Sequence, residues 1–282
     1  MNKENNFVFL GTPEVASETL EILKQAGFLP SLIVTAPDKP KGRKMLLTAP
    51  PVKTWAIQNH IPYIQPEKLK EIEILEILKK ENSDLFLVVA YGKIIPENII
   101  SLPKLGSINI HYSILPKYRG ASPVESAILA GDSTTGVTIQ KMEYKMDTGP
   151  IIAKEEISIL PEEKNFELRK RLIKIGGDLL VRILPDIFAN KNLSEIPQDE
   201  KEATYCKKIK KEDGLVDIEN EDPNVLYNKF RAYFNWPRIF FFKESKRVII
   251  TDAELIDNKF IIKKVLPEGK KEISWVDFKK QK

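Results

Sequence analysis

The chain has 282 residues, of which 42% are hydrophobic and 30% are charged, a composition typical of a globular protein and not of a disordered one. Its longest dense apolar run, residues 85–92, is far shorter than the roughly 20 residues that span a bilayer, so no membrane span is expected. One cysteine and two distant histidines exclude an internal disulfide framework and a zinc-type ligand cluster, and no metal is expected.

The formal net charge of +4 is unevenly distributed. From residue 201 onward there are 19 Lys and Arg residues against 14 Asp and Glu residues, which leaves the first 200 residues close to neutral. A solvated lysine-rich surface and a polyanionic partner both explain this excess, and composition does not separate them. The N-terminus has too short an apolar core for a signal peptide, so a cytoplasmic protein is expected.

The first half of the chain alternates strand and helix patterns. Residues 7–27, FVFLGTPEVASETLEILKQAG, predict a strand, a tight turn and an amphipathic helix, with Thr12 as N-cap, Pro13 at the first helical position and Gly27 as the stop. There follow a strand pattern at 31–37, helix patterns at 50–60 and 69–83, and a continuous apolar strand at 84–92. This alternation predicts an α/β fold with a parallel sheet covered by helices.

The second half begins in the same way and then changes character. Strand patterns occupy 106–113, 135–142 and 149–159, and helix patterns occupy 122–131 and 165–188. From about residue 190 the sequence is polar, basic and without strong period, which indicates a linker. Short alternating strands at 238–266 then predict a small β domain.

The stretch INIH places two polar side chains on one face of a predicted strand. Asn109 and His111 are two residues apart near the carboxyl end of this strand, where open α/β sheets bind ligands. An amide can donate to a developing oxyanion, and an imidazole can exchange a proton near neutral pH. A structural polar pair that caps a strand explains the same pattern.

Asp147 lies in the turn KMDTGP between two predicted strands. A carboxylate on such a turn could orient His111 and stabilise its charged form. Asp-Thr-Gly is also a common turn sequence, so the local pattern alone favours a turn residue.

Several segments together resemble the methionyl-tRNA formyltransferase family, within the wider group that uses 10-formyltetrahydrofolate. They are FLGTPEVA, PDKPKGR, PPVK, VVAYGKIIP, INIHYSILPKYRGASPV, GVTIQKMEYKMDTGPII, ATYCKKI and RAYFNWP, in the family's order and at roughly its spacing. The resemblance covers nearly the whole chain and is most specific over residues 105–152. It implies a Rossmann-like formyltransferase domain at 1–189, a linker at 190–207 and a C-terminal OB-like β-barrel that binds tRNA at 208–282.

The resemblance also implies an activity and its catalytic residues. The family transfers a formyl group from 10-formyltetrahydrofolate, as co-substrate, to the methionine amino group of charged initiator tRNA, for translation initiation. Asn109 is then expected to donate to the oxyanion, His111 to stabilise the oxyanion and handle protons, and Asp147 to orient His111, directly or through a water. No metal is required, and a monomer is expected.

The same resemblance assigns the binding segments. The folate is expected to contact the backbone of Val88, Val89, Ala90, Tyr91 and Gly92 and the turn of Ser113, Ile114, Leu115 and Pro116. Initiator methionyl-tRNA is expected to contact the basic loop through Lys39, Lys41, Arg43 and Lys44, in which Pro and Gly exclude a regular helix. A merely solvated basic loop is the alternative. His60 and Cys206 are interpreted as structural residues.

Two rival functions and one departure follow from the same residues. A formyltransferase that acts on an amino-sugar nucleotide would have the same catalytic set but no need for the basic loop. A tRNA-binding protein without activity would not need an aligned set of Asn109, His111 and Asp147. The stretch after RAYFNWP is shorter than the family pattern, so the barrel is expected to lack a strand or hairpin.

Overall fold

Strands and helices alternate over most of the chain, and antiparallel strands dominate its last part. The structure, a computed structural model, describes residues 6–42, 45–191 and 193–280. The strands are Phe7–Gly11 (β1), Leu32–Val34 (β2), Lys39–Lys41 (β3), Leu46–Thr48 (β4), Tyr63–Ile64 (β5), Leu85–Val89 (β6), Ser107–His111 (β7), Arg119–Gly120 (β8), Thr134–Lys141 (β9), Ile151–Ser158 (β10), Tyr205–Cys206 (β11), Phe240–Lys243 (β12), Lys246–Ile256 (β13), Lys259–Pro267 (β14) and Ile273–Ser274 (β15). The α-helices are Glu14–Gln25 (α1), Pro51–Gln58 (α2), Ile72–Glu81 (α3), Glu97–Ile100 (α4), Pro123–Ala130 (α5), Asn165–Phe188 (α6), Pro223–Ala232 (α7) and Trp275–Lys280 (α8). None of the helices in the described ranges is long and apolar enough to cross a membrane.

The chain forms two compact units, each assembled from separate stretches of sequence. The first contains Met1–Arg119, Gly136–Glu155 and Leu172–Thr204, and the second contains Gly120–Thr135, Glu156–Arg171 and Tyr205–Lys282. The domain limits of 1–189, 190–207 and 208–282 rest on the sequence and stay a prediction.

A parallel-rich sheet is the centre of the first unit. Its strand order is β10-β9-β7-β6-β1-β2-β5, in which β7, β6, β1, β2 and β5 run parallel and β9 is antiparallel to β7. Every residue of β1 and β6 is buried, as expected of strands that are covered on both faces. The carboxyl ends of β1, β6 and β7 therefore lie at one edge of the sheet, the edge at which such sheets bind ligands.

The start of α1 differs from the prediction. Pro13, not Thr12, is the N-cap, and no side chain caps the helix. The Thr12 hydroxyl instead donates to the carbonyl of Tyr91, at 3.0 Å, just after β6. The tertiary partner therefore outcompetes the local cap, and Thr12 joins the ends of two parallel strands. Gly27 follows the helix with φ +87°, as predicted for its stop.

The second unit contains the antiparallel sheet β12-β13-β14-β15. Both residues of the two-residue turns Glu244-Ser245 and Asp257-Asn258 have positive φ, which matches the type I′ geometry that joins twisted strands. The small β domain predicted at 238–266 is therefore present. This sheet has four strands within the described residues, whereas an OB barrel has five, and both the OB-like barrel and its missing strand stay predictions.

Candidate active site

His111 and Asp147 meet at the carboxyl end of β7. His111 is the last residue of that strand, and Asp147 lies in the turn between β9 and β10 with φ +56°. The distance from His111 Nδ1 to Asp147 Oδ2 is 3.7 Å, and only 6% and 11% of the two side chains are exposed. This distance is a close charge contact and is longer than a direct hydrogen bond. The structure thus brings together two residues that are separated in sequence by β8, α5 and β9.

Both ring nitrogens of His111 face oxygen acceptors. His111 Nε2 lies 2.8 Å from the carbonyl oxygen of Tyr118, which can only accept, and Nδ1 faces the Asp147 carboxylate. A proton on either nitrogen therefore meets an acceptor. Such a ring is held in one orientation and can accommodate the positive charge of an imidazolium.

Asn109 lies on the same face of the sheet as His111. In the register of β7 with β9, Asn109 is opposite Gln140 and His111 is opposite Thr138, so these four side chains line one face. Asn109 is half-buried, and its amide has no hydrogen-bond partner within the part of the chain that the structure describes. Its N–H groups are therefore available to a ligand oxygen.

Two glutamines contact Asp147, and neither was among the predicted site residues. Gln140 Nε2 donates to Asp147 Oδ1 at 2.9 Å, and Gln198 Nε2 donates to the backbone carbonyl of Asp147 at 3.0 Å. Gln140 could have been found, because its alternation on the strand TGVTIQKM places it on one face with Thr138. Gln198 lies in a polar stretch without period, and no local signal marks it.

The segment predicted to contact the pterin is the end of β6 and the turn after it. Val88, Val89 and Tyr91 are buried, whereas Ala90 and Gly92 are exposed and have φ of 48° and 78°. The left-handed residues turn the backbone out of the sheet and expose its peptide groups to a ligand. Burial raises the pKa of Tyr91 to about 12, so its hydroxyl stays neutral.

The turn predicted to contact folate is built around Ser113. This residue is fully buried, and its hydroxyl donates to the carbonyl of Lys117, so it stabilises the turn and is not directed at solvent. Thr138 also ties the turn to β9, because its hydroxyl donates to Ser113 O at 2.7 Å and accepts from Leu115 N–H at 3.1 Å. Ile114 and Pro116 are the half-buried members, and they are the parts of this turn that a ligand could reach.

The predicted basic loop is partly a β-hairpin. β3 pairs with β4 in antiparallel register, and Lys39 and Lys41 are exposed on β3. Arg43 and Lys44 lie outside the described residues. Three exposed apolar side chains follow, Met45 just before β4 and Leu46 and Leu47 on β4.

Asp38 anchors the base of this hairpin. It accepts from Lys53 Nζ at 2.7 Å and from Gln65 Nε2 at 2.7 Å. The hydrogen bond from Gln65, followed by that from Lys53, holds the pKa of the Asp38 carboxyl below its usual range. Lys39 and Lys41 therefore lie on a hairpin whose base is held by the contacts of Asp38 with Lys53 and Gln65.

None of the contacts described above involves His60 or Cys206. His60 is exposed just beyond α2 with φ 56°, and Cys206 Sγ accepts from the backbone N–H of Ser122 at 3.4 Å. Within the described ranges, no group of three or more His, Cys, Asp and Glu side chains is arranged to hold a metal ion.

Comparison with known proteins identifies the family. Residues 5–184 match the family model described as formyl transferase, and residues 208–261 match the one described as formyl transferase, C-terminal domain. The methionyl-tRNA formyltransferase of Thermotoga maritima is 43% identical over 251 residues, which are 89% of this chain and 80% of that protein. The chain belongs to the methionyl-tRNA formyltransferase family. The methionyl-tRNA formyltransferase of Caldicellulosiruptor saccharolyticus is similar as well, with 40% identity over 90% of this chain and 81% of that protein.

Family membership confirms the predicted enzyme class and the α/β fold with a C-terminal domain of antiparallel strands. A solved structure, the N-formyltransferase of Helicobacter canadensis in complex with folinic acid and dTDP-3-aminofucose, has this fold too, with a TM-score of 0.64. It is 19% identical and covers 92% of this chain and 94% of its own, so the likeness extends to fold alone. The roles of the individual site residues stay predictions.

Proposed function

We propose that this enzyme transfers the formyl group of 10-formyltetrahydrofolate to the methionine amino group of charged initiator tRNA, for translation initiation. The observation that carries the proposal is the placement of Asn109, His111 and Asp147 at one edge of the parallel sheet, in a chain of this family. The enzyme acts as a monomer. It acts in the cytoplasm, where translation supplies its acceptor.

The transfer needs a stabilised oxyanion and a path for one proton. The methionine amino group attacks the formyl carbon, the carbonyl oxygen becomes an oxyanion, and N10 of the folate leaves with the proton that the amine loses. Asn109 donates a hydrogen bond to the oxyanion from its unpartnered amide. His111 stabilises the same charge and exchanges the proton through Nδ1, because the Tyr118 carbonyl occupies Nε2, while Asp147 holds the ring and compensates its positive charge.

The folate site is assigned to two backbone turns that flank these groups in sequence. The turn after β6 offers exposed peptide groups at Ala90 and Gly92, and the turn after β7 offers Ile114 and Pro116. Both turns follow the carboxyl ends of neighbouring parallel strands, since β6 pairs with β7. The bound folinic acid of the Helicobacter canadensis enzyme supports a folate as the ligand class of this fold.

The acceptor is the finer part of the proposal. The basic hairpin, with Lys39 and Lys41 exposed and Arg43 and Lys44 beside them in the sequence, suits the phosphates of a tRNA end. The relatives named for methionyl-tRNA are 40% and 43% identical to this chain, whereas the sugar enzyme is 19% identical. Sequence identity therefore favours methionyl-tRNA over a nucleotide sugar as the acceptor.

A comparison of acceptors tests this function. The purified enzyme is incubated with 10-formyltetrahydrofolate and one of three acceptors: methionyl initiator tRNA, methionyl elongator tRNA or an amino-sugar nucleotide. We expect N-formylmethionine after deacylation of the initiator tRNA and little or none from the elongator. Formylation of the sugar nucleotide without formylation of the tRNA would overturn the proposal.

A further inference from the structure

A buried arginine fixes the orientation of Gln198. The Arg119 side chain is buried, and its Nε and Nη2 donate to Gln198 Oε1 at 3.0 and 2.8 Å. The guanidinium also contacts Glu200, through Nη1 at 3.1 Å and Nη2 at 2.9 Å. Since a guanidinium can only donate, the oxygen end of the Gln198 amide must face Arg119.

The nitrogen end of Gln198 is thereby directed at the turn that carries Asp147. Gln198 Nε2 donates to the carbonyls of Asp147 at 3.0 Å and Gly149 at 2.7 Å, and it lies 3.3 Å from Gln140 Oε1. An inverted amide would place its oxygen against two carbonyl oxygens and its NH₂ group against a cation. The amide therefore has one satisfactory orientation, and that orientation ties together both ends of the Asp-Thr-Gly turn.

Gln140 leaves one carboxylate oxygen of Asp147 directed at His111. Gln140 occupies Asp147 Oδ1 at 2.9 Å, and Asp147 Oδ2 faces His111 Nδ1 at 3.7 Å. Gln198 holds the backbone of the same residue, whose φ of +56° is uncommon outside glycine and needs support from its surroundings. The carboxylate is thus fixed through its side chain and through its main chain.

The segment that carries Gln198 also braces the other side of the His111 ring. Ile196 pairs with Ile151 through two backbone hydrogen bonds of 2.8 and 2.9 Å. At the other end, Thr204 Oγ1 accepts from the backbone N–H of Tyr118 at 2.8 Å, and the carbonyl of Tyr118 lies 2.8 Å from His111 Nε2. One short stretch, residues 196–204, therefore touches both groups that flank the imidazole.

We infer that Gln198, oriented by Arg119, is a positioning residue of the formyl-transfer site, and that it acts by holding Asp147 against His111. The expected fall in kcat rests on the proposed function. The geometric part of the inference concerns only the contact between His111 and Asp147. It assigns a function to a stretch whose sequence indicates only a linker.

Kinetics of two Gln198 variants test the inference. Gln198→Ala removes the amide, whereas Gln198→Glu keeps the shape and the Arg119 contact but puts an acceptor against the two carbonyls. We expect each to lower kcat about 10- to 100-fold, the scale of a displacement of about 1 Å, with KM for both substrates within about twofold. Glu195→Gln, just before the same stretch, is the matched control, since it removes an exposed ion pair with Lys141, and it should leave kcat within about twofold.

The Gln198→Glu variant distinguishes a positioning role of Gln198 from a purely structural role. If the Arg119 contact only stabilised the fold, Gln198→Glu would strengthen it and keep the wild-type kcat, which would overturn the inference. Combination with Asp147→Asn gives a second readout. If Gln198 acts through Asp147, Gln198→Ala should slow the Asp147→Asn enzyme by no more than about twofold, and a fully multiplicative loss would contradict the inference.

Histidine NMR tests the geometry without any turnover. The chain has two histidines, so ¹⁵N-labelled imidazoles give two sets of ring signals, and the exposed His60 serves as an internal reference. At fixed pH, Gln198→Ala and Gln198→Glu should move the His111 ring signals in the direction that Asp147→Asn moves them. Unchanged His111 signals in both folded variants would overturn the inference. An inactive wild-type enzyme would instead refute the proposed function and leave this test intact.

Discussion

Gly149→Ala should displace the turn that carries Asp147. An alanine Cβ at residue 149 would lie 1.8 Å from the carbonyl oxygen of Lys141, whereas real Cβ atoms do not approach closer than about 3.0 Å. The turn must therefore move by about 1.2 Å, and the Gly149 carbonyl that accepts from Gln198 moves with it. A misplacement of about 1 Å at a catalytic group costs on the order of 10² in rate, so turnover should fall about 100-fold. Overpacking of this kind also costs about 1–3 kcal/mol of stability.

Single-turnover formylation and thermal unfolding measure the two consequences of Gly149→Ala separately. Gly27→Ala is the matched control, because its φ is +87° and no atom lies within 4 Å of the added Cβ. It should cost about 1–2 kcal/mol through backbone strain, with turnover unchanged. A folded Gly149→Ala enzyme with wild-type turnover would refute the claim that the position of Asp147 limits the reaction.

Three further predictions concern the oxyanion, the hairpin and the buried arginine. Asn109→Ala should lower kcat by about 10² to 10³ with little change in substrate binding, and steady-state kinetics within a few-fold of wild type would exclude the oxyanion assignment. Arg43→Ala should weaken tRNA use, leave folate KM nearly unchanged and reduce the slope of log affinity against log salt by roughly 0.7 to 0.9, whereas salt-independent wild-type kinetics would favour a solvated loop. The hydrogen bond from Arg119 lowers the pKa of the Glu200 carboxyl from its ordinary value of 4.5, so the carboxylate stabilises the fold above that value and loses this contribution as pH falls through the lowered pKa. Glu200→Gln should therefore lower Tm at pH 7 and make no difference in strong acid, and a Tm difference that persists unchanged in strong acid would contradict this reasoning.

The sheet of the first unit could be predicted because each of its strands is locally recognisable. The continuous apolar strand β6 and the βα unit of β1 and α1 carry their patterns within a few residues. Thr12 shows where such reasoning ends. Its sequence context favours a helix cap, but the Tyr91 carbonyl lies 79 residues away in sequence and takes its hydroxyl.

The catalytic candidates illustrate the same limit. Asn109 and His111 can be placed on one face by strand alternation, and Asp147 was added through a family resemblance. Gln198 contacts residues 51 and 79 positions away, Asp147 and Arg119, and its own neighbourhood has no periodicity. Local sequence therefore cannot distinguish it from a solvated linker residue, and only the folded chain does.

A double-mutant cycle between His111 and Asp147 tests the central claim most directly. The single-turnover rate of formyl transfer to methionyl initiator tRNA is measured for the wild type, His111→Ala, Asp147→Asn and the double variant. Because Asp147 acts by holding the imidazole and compensating its positive charge, the double variant should be about as slow as His111→Ala alone. A loss in the double variant equal to the product of the two single losses would show that the residues act independently, and that result would contradict the account.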